Sequence, residues 1–166
     1  MKRFAALILL AIVRAARADE VVLDPQKFLE QTFDGHPPAS ADLWLDNQIQ
    51  AQLKPIFDHN YPAARVKYWK SADRVVWILE DIGKEFPITA GFIVKAGAID
   101  SARLLIYRET RGDDIRNPGF LRQFSGARLK NGELSEAVDG ISGATLSVSA
   151  MKRMARAALV LTTELP

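Results

Sequence analysis

A short run of residues near the C-terminus combines the side chains and the backbone freedom that an anionic group needs. Asp139-Gly-Ile-Ser-Gly-Ala-Thr145 ends in a hydroxyl residue, and an apolar, helix-like stretch follows it over residues 146–161. The N-terminus of a helix presents backbone N–H groups that have no partner within the helix, and it favours negative charge. Gly143 lets the backbone approach a bulky ligand or adopt a positive φ, and Ala144 adds little bulk. The pattern therefore indicates a phosphate-binding site centred on Thr145.

An ordinary loop that ends in a helix cap is the alternative interpretation of the same run. Ser142, Thr145 and Ser147 are all residue types that cap helices well. A bare Ser-Gly-Ala-Thr sequence would favour this alternative. The preceding Asp139, the helix-like stretch and several residues upstream favour the phosphate site instead.

The first 18 residues have the composition of a secretory signal peptide. Lys2 and Arg3 supply the positive start, residues 4–13 are apolar, and Ala16-Arg-Ala18 is a small-x-small cleavage site, which predicts cleavage after Ala18. A helix that spans a bilayer needs roughly 20 apolar residues, and this apolar stretch has about half that number. We therefore expect an exported, periplasmic protein, and an uncleaved membrane anchor is the alternative.

Composition narrows the chemistry that the exported chain can perform. Of 22 basic and 20 acidic residues, the signal peptide removes four basic ones and no acid, which leaves 18 against 20. This nearly neutral balance does not indicate a nucleic-acid partner. The absence of cysteine excludes disulfides, c-type haem attachment, iron–sulfur ligation and thiol catalysis. His36 and His59 lack metal-ligand spacing, so we expect solvated loop histidines and no metal site.

Two helices are expected ahead of the strands. Asp24 to Phe33 is amphipathic and ends at Asp34-Gly35. A second helix is expected from a cap at Ser40 to Lys54, where Pro55 would stop it. Residues 19–60 are therefore predicted to form an N-terminal helical segment of the domain.

From Arg65 the spacing of apolar residues changes to the alternation that is typical of strands. Strands are predicted between turns at 71–73, 83–84 and 96–97, and a tight hairpin turn is predicted at 130–133. The length favours one domain. The elements together predict an α+β fold, with a mostly antiparallel sheet packed with helices.

These features resemble the FMN-binding domain family, which includes the flavin-carrying domains of the sodium-pumping NADH:quinone reductase and of the related RNF complex. The residues that carry the resemblance are Asp139 to Thr145, Glu109-Thr110 with Gly112, and Phe120 to Phe124 with Ser125-Gly126. The family typically has Glu-Thr-Pro-Gly-Leu-Gly where this chain has Glu109-Thr-Arg-Gly-Asp-Asp114. We therefore expect the loop near the flavin to differ in shape and charge.

The resemblance implies that residues 61–166 form an FMN-binding domain with a covalently bound cofactor. The last threonine of the family motif carries FMN through a phosphoester bond, which makes Thr145 the attachment residue. A flavin transferase that uses FAD and Mg²⁺ would attach it. The chain would then carry electrons for a membrane-bound reductase or another redox protein, with no catalytic residue of its own. The predicted cofactor-binding residues are Thr145, Asp139, Ser142, Gly143, Ala144, Leu146, Glu109 and Thr110.

Four arginines precede the motif, at positions 108, 111, 116 and 122. Such side chains can contact the phosphate of FMN or stabilise the anionic reduced ring, and a solvated charged face is an equally good interpretation for each of them. Two other functions stay open. They are non-covalent FMN binding by the same fold, and a flavin-free periplasmic interaction module.

Overall fold

The computed structural model describes residues 19–166, so the predicted signal peptide lies outside the described residues. These residues form an α+β fold in a single domain, with a mostly antiparallel sheet packed with helices, as predicted. The strands are β1 (Glu20–Val21), β2 (Ala41–Trp44), β3 (Arg65–Lys70), β4 (Val75–Ile82), β5 (Pro87–Lys95), β6 (Ala98–Tyr107), β7 (Leu129–Lys130) and β8 (Glu133–Leu134). The α-helices are α1 (Pro25–Thr32), α2 (Asn47–Phe57), α3 (Pro118–Arg122) and α4 (Thr145–Thr163).

Six strands form one antiparallel sheet in the order β1-β6-β5-β4-β3-β2, and β7 pairs with β8 separately. From β3 to β6 the chain runs through the sheet by consecutive hairpins at the predicted turns, whereas α2 lies between β2 and β3. The central strands β4 and β5 pair over their full lengths, with Trp77 opposite Phe92. Both strands are largely apolar because helices cover both faces of the sheet.

Each face of the sheet has its own hydrophobic cluster. The larger cluster packs Trp77 and Phe92 against α4, where Met151 and Met154 are fully buried. The smaller cluster lies on the opposite face, where Phe28 of α1 contacts the backbone of β5 at Gly91. A Cβ atom at Gly91 would lie 2.4 Å from the Phe28 ring, so the close packing of α1 on the sheet requires glycine there.

The predicted helix from Ser40 to Lys54 is wrong at both ends. Residues 41–44 form the edge strand β2, which pairs with β3 from Ala41 opposite Tyr68 to Trp44 opposite Arg65. The helix begins later because Asp46 caps it, accepting a hydrogen bond from the Ile49 N–H at 2.9 Å. Pro55 lies inside the last turn and does not stop the helix. The N-terminal segment thus contributes two strands to the sheet as well as two helices.

The C-terminal helix α4 packs across the larger face of the sheet. Burial extends around most of the helix and includes Ala150, Met154, Ala157 and Val160. Arg153 and Arg156 are half-buried and form ion pairs at its edges. No helix within residues 19–166 has the length and apolar character needed to cross a membrane.

Candidate functional site

The predicted motif forms a tight turn that leads directly into α4. The Ala144 N–H donates to the Ile141 carbonyl oxygen at 3.0 Å, which closes the turn. Gly143 adopts φ +82° and has nothing within 4 Å of the position that a Cβ atom would occupy. Thr145 is the first residue of the helix, and its side chain is exposed. The motif therefore presents a threonine hydroxyl at the beginning of a 19-residue helix.

The N-terminus of α4 has no side-chain cap. Its N-cap residue is Ala144, which cannot accept a hydrogen bond through its side chain. The first intrahelical bond runs from the Val148 N–H to the Ala144 carbonyl oxygen at 2.9 Å. The N–H groups of residues 145–147 therefore precede the helical hydrogen-bond ladder. The alternative interpretation as a Ser or Thr cap does not match this geometry.

A cavity of about 560 Å³ opens at this helix terminus. It brings together two separated parts of the predicted site, the Glu109-Thr110 pair and the motif, and its volume is within the range of cofactor sites. Its lining comprises Lys84, Glu109, Thr110, Arg111, Gly143, Ala144, Thr145, Leu146 and Ser147.

The loop after β6 is fixed against the start of α4 by a buried tyrosine. The Tyr107 hydroxyl donates to the Arg111 carbonyl oxygen at 2.5 Å and lies 3.2 Å from Ser147 Oγ. Gly112 adopts φ +85°, and a Cβ atom there would lie 3.2 Å from Ala144. The loop and the helix terminus consequently form one packed unit that makes up a wall of the cavity.

Glu109 lies on the cavity wall, and its carboxylate accepts hydrogen bonds from a neighbouring turn. Oε1 accepts hydrogen bonds from three consecutive backbone N–H groups, those of Lys84 at 2.5 Å, Glu85 at 2.7 Å and Phe86 at 3.0 Å. These residues form the turn between β4 and β5. Glu109 thus connects two walls of the cavity.

Two of the predicted site residues do not line the cavity. Asp139 is exposed, and its backbone N–H donates to Gln123 Oε1 at 2.8 Å. Ser142 is also exposed and lies in the turn before Gly143. Gln123 belongs to the Phe120 to Phe124 segment, so this segment anchors the beginning of the motif.

Of the four arginines before the motif, Arg111 is the one that lines the cavity. Arg111 therefore adds a cation to the cavity wall, and the expected difference between this loop and that of the family stays a prediction. Arg108 donates to Thr89 Oγ1 at 2.9 Å and pairs with Asp19 at 3.0 Å. Arg116 pairs with Glu20 through both carboxylate oxygens. Arg122 lines a different cavity, beside α3.

A buried ion pair fixes α4 to the end of β4. Arg153 Nε donates to Asp81 Oδ2 at 2.6 Å, and Arg153 Nη2 donates to the Ile82 carbonyl oxygen at 3.0 Å. Burial raises the pKa of the Asp81 carboxyl, and the Arg153 guanidinium opposes that rise. The pair holds the helix next to the 83–86 turn, and it lies outside the cavity lining.

The two histidines are exposed, and each ring nitrogen Nδ1 lies within hydrogen-bonding distance of a nearby carbonyl oxygen. Within residues 19–166, no group of three or more His, Cys, Asp or Glu side chains is arranged to hold a metal ion.

Residues 83–160 match the model of the FMN-binding domain. The chain carries an FMN-binding domain. The match includes every predicted site residue and all nine residues of the cavity lining. Comparisons with curated proteins and with solved structures gave no match. The matched region begins at the Gly83 turn, whereas the sequence placed the start of the FMN-binding domain at residue 61. That domain boundary stays a prediction.

The residues around the cavity fit an FMN phosphate. The helix terminus supplies N–H donors, Gly143 leaves open space beside them, and Lys84 and Arg111 supply positive charge. The roles of Lys84, Tyr107 and Ser147 in the site were not predicted from the sequence. Lys84 was visible only as part of a turn, Tyr107 only as a strand residue, and Ser147 only as a possible helix cap.

Proposed function

We propose that this chain is an exported flavoprotein that carries FMN on Thr145 through a phosphoester bond and acts in electron transfer. The observation that carries the proposal is the position of Thr145. It is the first residue of an uncapped helix and lies on the wall of a cavity within an FMN-binding domain. Flavin binding belongs to the matched domain, and the covalent bond, export and partners are the parts proposed.

The chain's own groups have distinct roles in this proposal. The N–H groups at the start of α4 bind the phosphate, and Gly143 keeps space open for it. The cations Lys84 and Arg111 balance its negative charge. Leu146 is half-exposed at the cavity, with 50% of its surface accessible, and offers an apolar contact to the flavin ring. The bound flavin supplies the redox chemistry, and the protein supplies position and electrostatics.

Attachment requires a flavin transferase and FAD. In the proposed step, Thr145 Oγ1 forms a bond to the phosphorus of the FMN half of FAD. The pyrophosphate bond breaks, AMP leaves, and the transferase accepts the hydroxyl proton. Thr145 is suited to this reaction because its side chain is exposed and makes no cap within its own helix. A covalent bond also prevents loss of the cofactor outside the cytoplasm.

Export and redox partners complete the proposal. The signal-like residues 1–18 support transport to the periplasm with cleavage after Ala18. A membrane-bound reductase, or another redox protein, would exchange electrons with the flavin. The exposed apolar side chain of Leu146 lies on the cavity wall, where such a partner would approach.

The decisive experiment is export of the chain in a bacterium with an active flavin transferase, followed by a denaturing gel and intact-mass analysis. We expect a fluorescent band whose mass increases by one FMN. Thr145→Ala should abolish the band, and Thr145→Ser should retain it because serine keeps the hydroxyl. Thr163→Ala, at the other end of the same helix, is the matched control and should be labelled like the wild type.

Other outcomes separate the alternatives. Flavin that copurifies with the native protein but is lost on the gel would indicate non-covalent binding. A protein without flavin, obtained beside a transferase that labels a known substrate, would support a flavin-free module and contradict the proposal. Mass analysis of the exported chain also tests cleavage, since the mature N-terminus should be Asp19.

A further inference from the structure

One carboxylate oxygen of Glu109 holds the turn between β4 and β5. Three consecutive N–H groups, from Lys84, Glu85 and Phe86, donate to Glu109 Oε1 at 2.5 to 3.0 Å. Consecutive backbone N–H groups that converge on one point form an anion-binding concavity. In this chain the concavity next to the cavity is occupied by the protein's own carboxylate.

The turn depends on this long-range contact more than on its internal bonding. Within the turn, the Gly83 N–H donates to the Phe86 carbonyl oxygen at 3.1 Å. Glu109 is more than 20 residues away in sequence and accepts hydrogen bonds from the three remaining N–H groups of the turn. Hydrogen bonds to a carboxylate are stronger than those between neutral groups. A Cβ atom at Gly83 would lie 2.9 Å from Glu109 Oε1, so glycine also permits the close approach.

The held turn determines where Lys84 lies. The Lys84 backbone N–H makes the shortest of the three bonds to Glu109, and the Lys84 side chain lines the same cavity as Thr145. Within residues 19–166, the Lys84 ammonium makes one ion pair, a long and exposed contact with Glu85 at 3.8 Å. Such a contact contributes little and leaves the charge available to a ligand.

We infer that Glu109 is a positioning residue, which holds the 83–86 turn so that Lys84 presents its charge to an anionic group of FMN in the cavity. The inference rests on the proposed function for the identity of the ligand. It assigns Glu109 a role through Lys84, whereas the sequence suggested direct cofactor binding. Direct binding by the carboxylate is the competing assignment.

The hold on the turn can be tested without flavin. Amide hydrogen exchange, resolved by residue, would compare the flavin-free wild type with Glu109→Ala and Glu109→Gln. We expect the amides of residues 84–86 to lose protection about tenfold or more in Glu109→Ala. Protection should be retained in Glu109→Gln, whose amide oxygen still accepts hydrogen bonds. Glu85→Ala, which removes a neighbouring exposed carboxylate, is the control and should be unchanged. Equal protection in Glu109→Ala and the wild type would overturn the inference.

A second measurement tests whether Glu109 affects FMN binding through Lys84. Affinity for free FMN would be determined by fluorescence quenching on chain produced without transferase. Comparing Glu109→Ala with Glu109→Gln removes the effect of charge, since both variants lack the carboxylate. We expect Glu109→Ala to bind about three- to fivefold more weakly. In a Lys84→Gln background the two Glu109 variants should bind equally.

The outcomes distinguish this inference from the proposed function. An equal difference between the Glu109 variants in both backgrounds would show that Glu109 does not act through Lys84. Weak binding by Glu109→Gln, equal to that of Glu109→Ala, would support direct contact and overturn the positioning role. Failure of the wild type to take up FMN, free or covalent, would contradict the proposed function, and the exchange experiment would still decide whether Glu109 holds the turn.

Discussion

The four α-helices within residues 19–166 begin in two different ways. Asp24 caps α1 by accepting hydrogen bonds from the Gln26 and Lys27 N–H groups, and Asp46 caps α2. The five-residue α3 has Asn117 as its cap, with the Gly119 N–H as donor. The longest helix, α4, begins at an alanine that offers no such acceptor. The chain thus satisfies the start of three helices with its own side chains and leaves the fourth facing a cavity.

The uncapped helix is held from its sides. Tyr107 contacts Ser147 in the first turn, and Arg153 pairs with the buried Asp81 two turns later. Both contacts are made by side chains and use none of the first N–H groups of the helix. The comparison shows that α4 obtains a fixed position without using the donors that a phosphate would need. Four substitutions test this difference between the helices that have side-chain caps and α4, which is held by contacts along its sides.

Arg153→Met should cause the largest loss of stability. It leaves the Asp81 carboxylate, whose side chain is 6% exposed, without its partner. Breaking a buried pair in this way costs about 3 kcal/mol or more of the free energy of unfolding. Arg156→Met is the control on the same helix, because its partner Glu133 is mostly exposed, and should cost about 1 kcal/mol or less. Urea unfolding at neutral pH measures both.

The same variant makes a prediction about pH. Because burial raises the pKa of Asp81 in the folded protein, this group lowers the free energy of unfolding as the pH rises through its titration range. Loss of Arg153 raises the folded pKa further. The difference between Arg153→Met and the wild type should therefore shrink as the pH falls through that raised pKa. A difference that stays constant down to about pH 4 would contradict the proposed cause.

Tyr107→Phe should have the next largest effect. It removes the hydroxyl that donates to the Arg111 carbonyl oxygen and contacts Ser147 Oγ, so buried polar groups lose a partner. We expect a cost of about 2 kcal/mol in the free energy of unfolding. Tyr68→Phe is the control. That ring packs on Trp77, and its hydroxyl makes no hydrogen bond within residues 19–166. Equal stability of the two variants would contradict the role given to Tyr107.

Asp46→Ala should cost about 1 kcal/mol, the usual effect of losing an N-cap. The loss should leave FMN binding unchanged, because α2 contributes no residue to the cavity lining. Thermal unfolding and FMN affinity would be measured on the same sample. A large loss of FMN affinity would show that the cap of α2 also affects the cavity at the start of α4.

Thr145→Ala should have the smallest effect on stability, below about 0.5 kcal/mol in the flavin-free chain. Its side chain is exposed and caps no helix. The same variant is expected to lose covalent flavin completely. A large loss of flavin with a small loss of stability would show that Thr145 contributes to attachment and not to folding. A destabilisation as large as that of Asp46→Ala would indicate a structural role for the Thr145 side chain.

Much of the fold follows from local patterns in the sequence. The alternation after Arg65, the turn residues and the apolar C-terminal stretch predicted β3 to β6 and α4. The edge strand β2 was missed because its pairing with β3 is a non-local contact, and because Ser40 and Asp46 are both good caps. Only tertiary structure determined that Asp46 begins the helix.

The candidate site could be predicted in part for a similar reason. The cavity-lining residues from Gly143 to Leu146 are continuous in sequence, so Thr145 was found at once. Lys84 could not be found in this way, because its position depends on hydrogen bonds to a carboxylate 25 residues further along the chain. Asp139 belongs to the motif but lies outside the cavity lining, since Gln123 holds its backbone elsewhere.

The order of the strands has a consequence for how the chain folds. Neighbouring strands from β3 to β6 are joined by short turns, so this part of the sheet can form through hairpins at a low cost in loop-closure entropy. The cavity instead needs distant contacts, including Tyr107 with Ser147 across 40 residues. We therefore expect the hairpins to form early and the cavity to be completed when α4 docks. A transferase that recognises the finished cavity would then act only on folded chains.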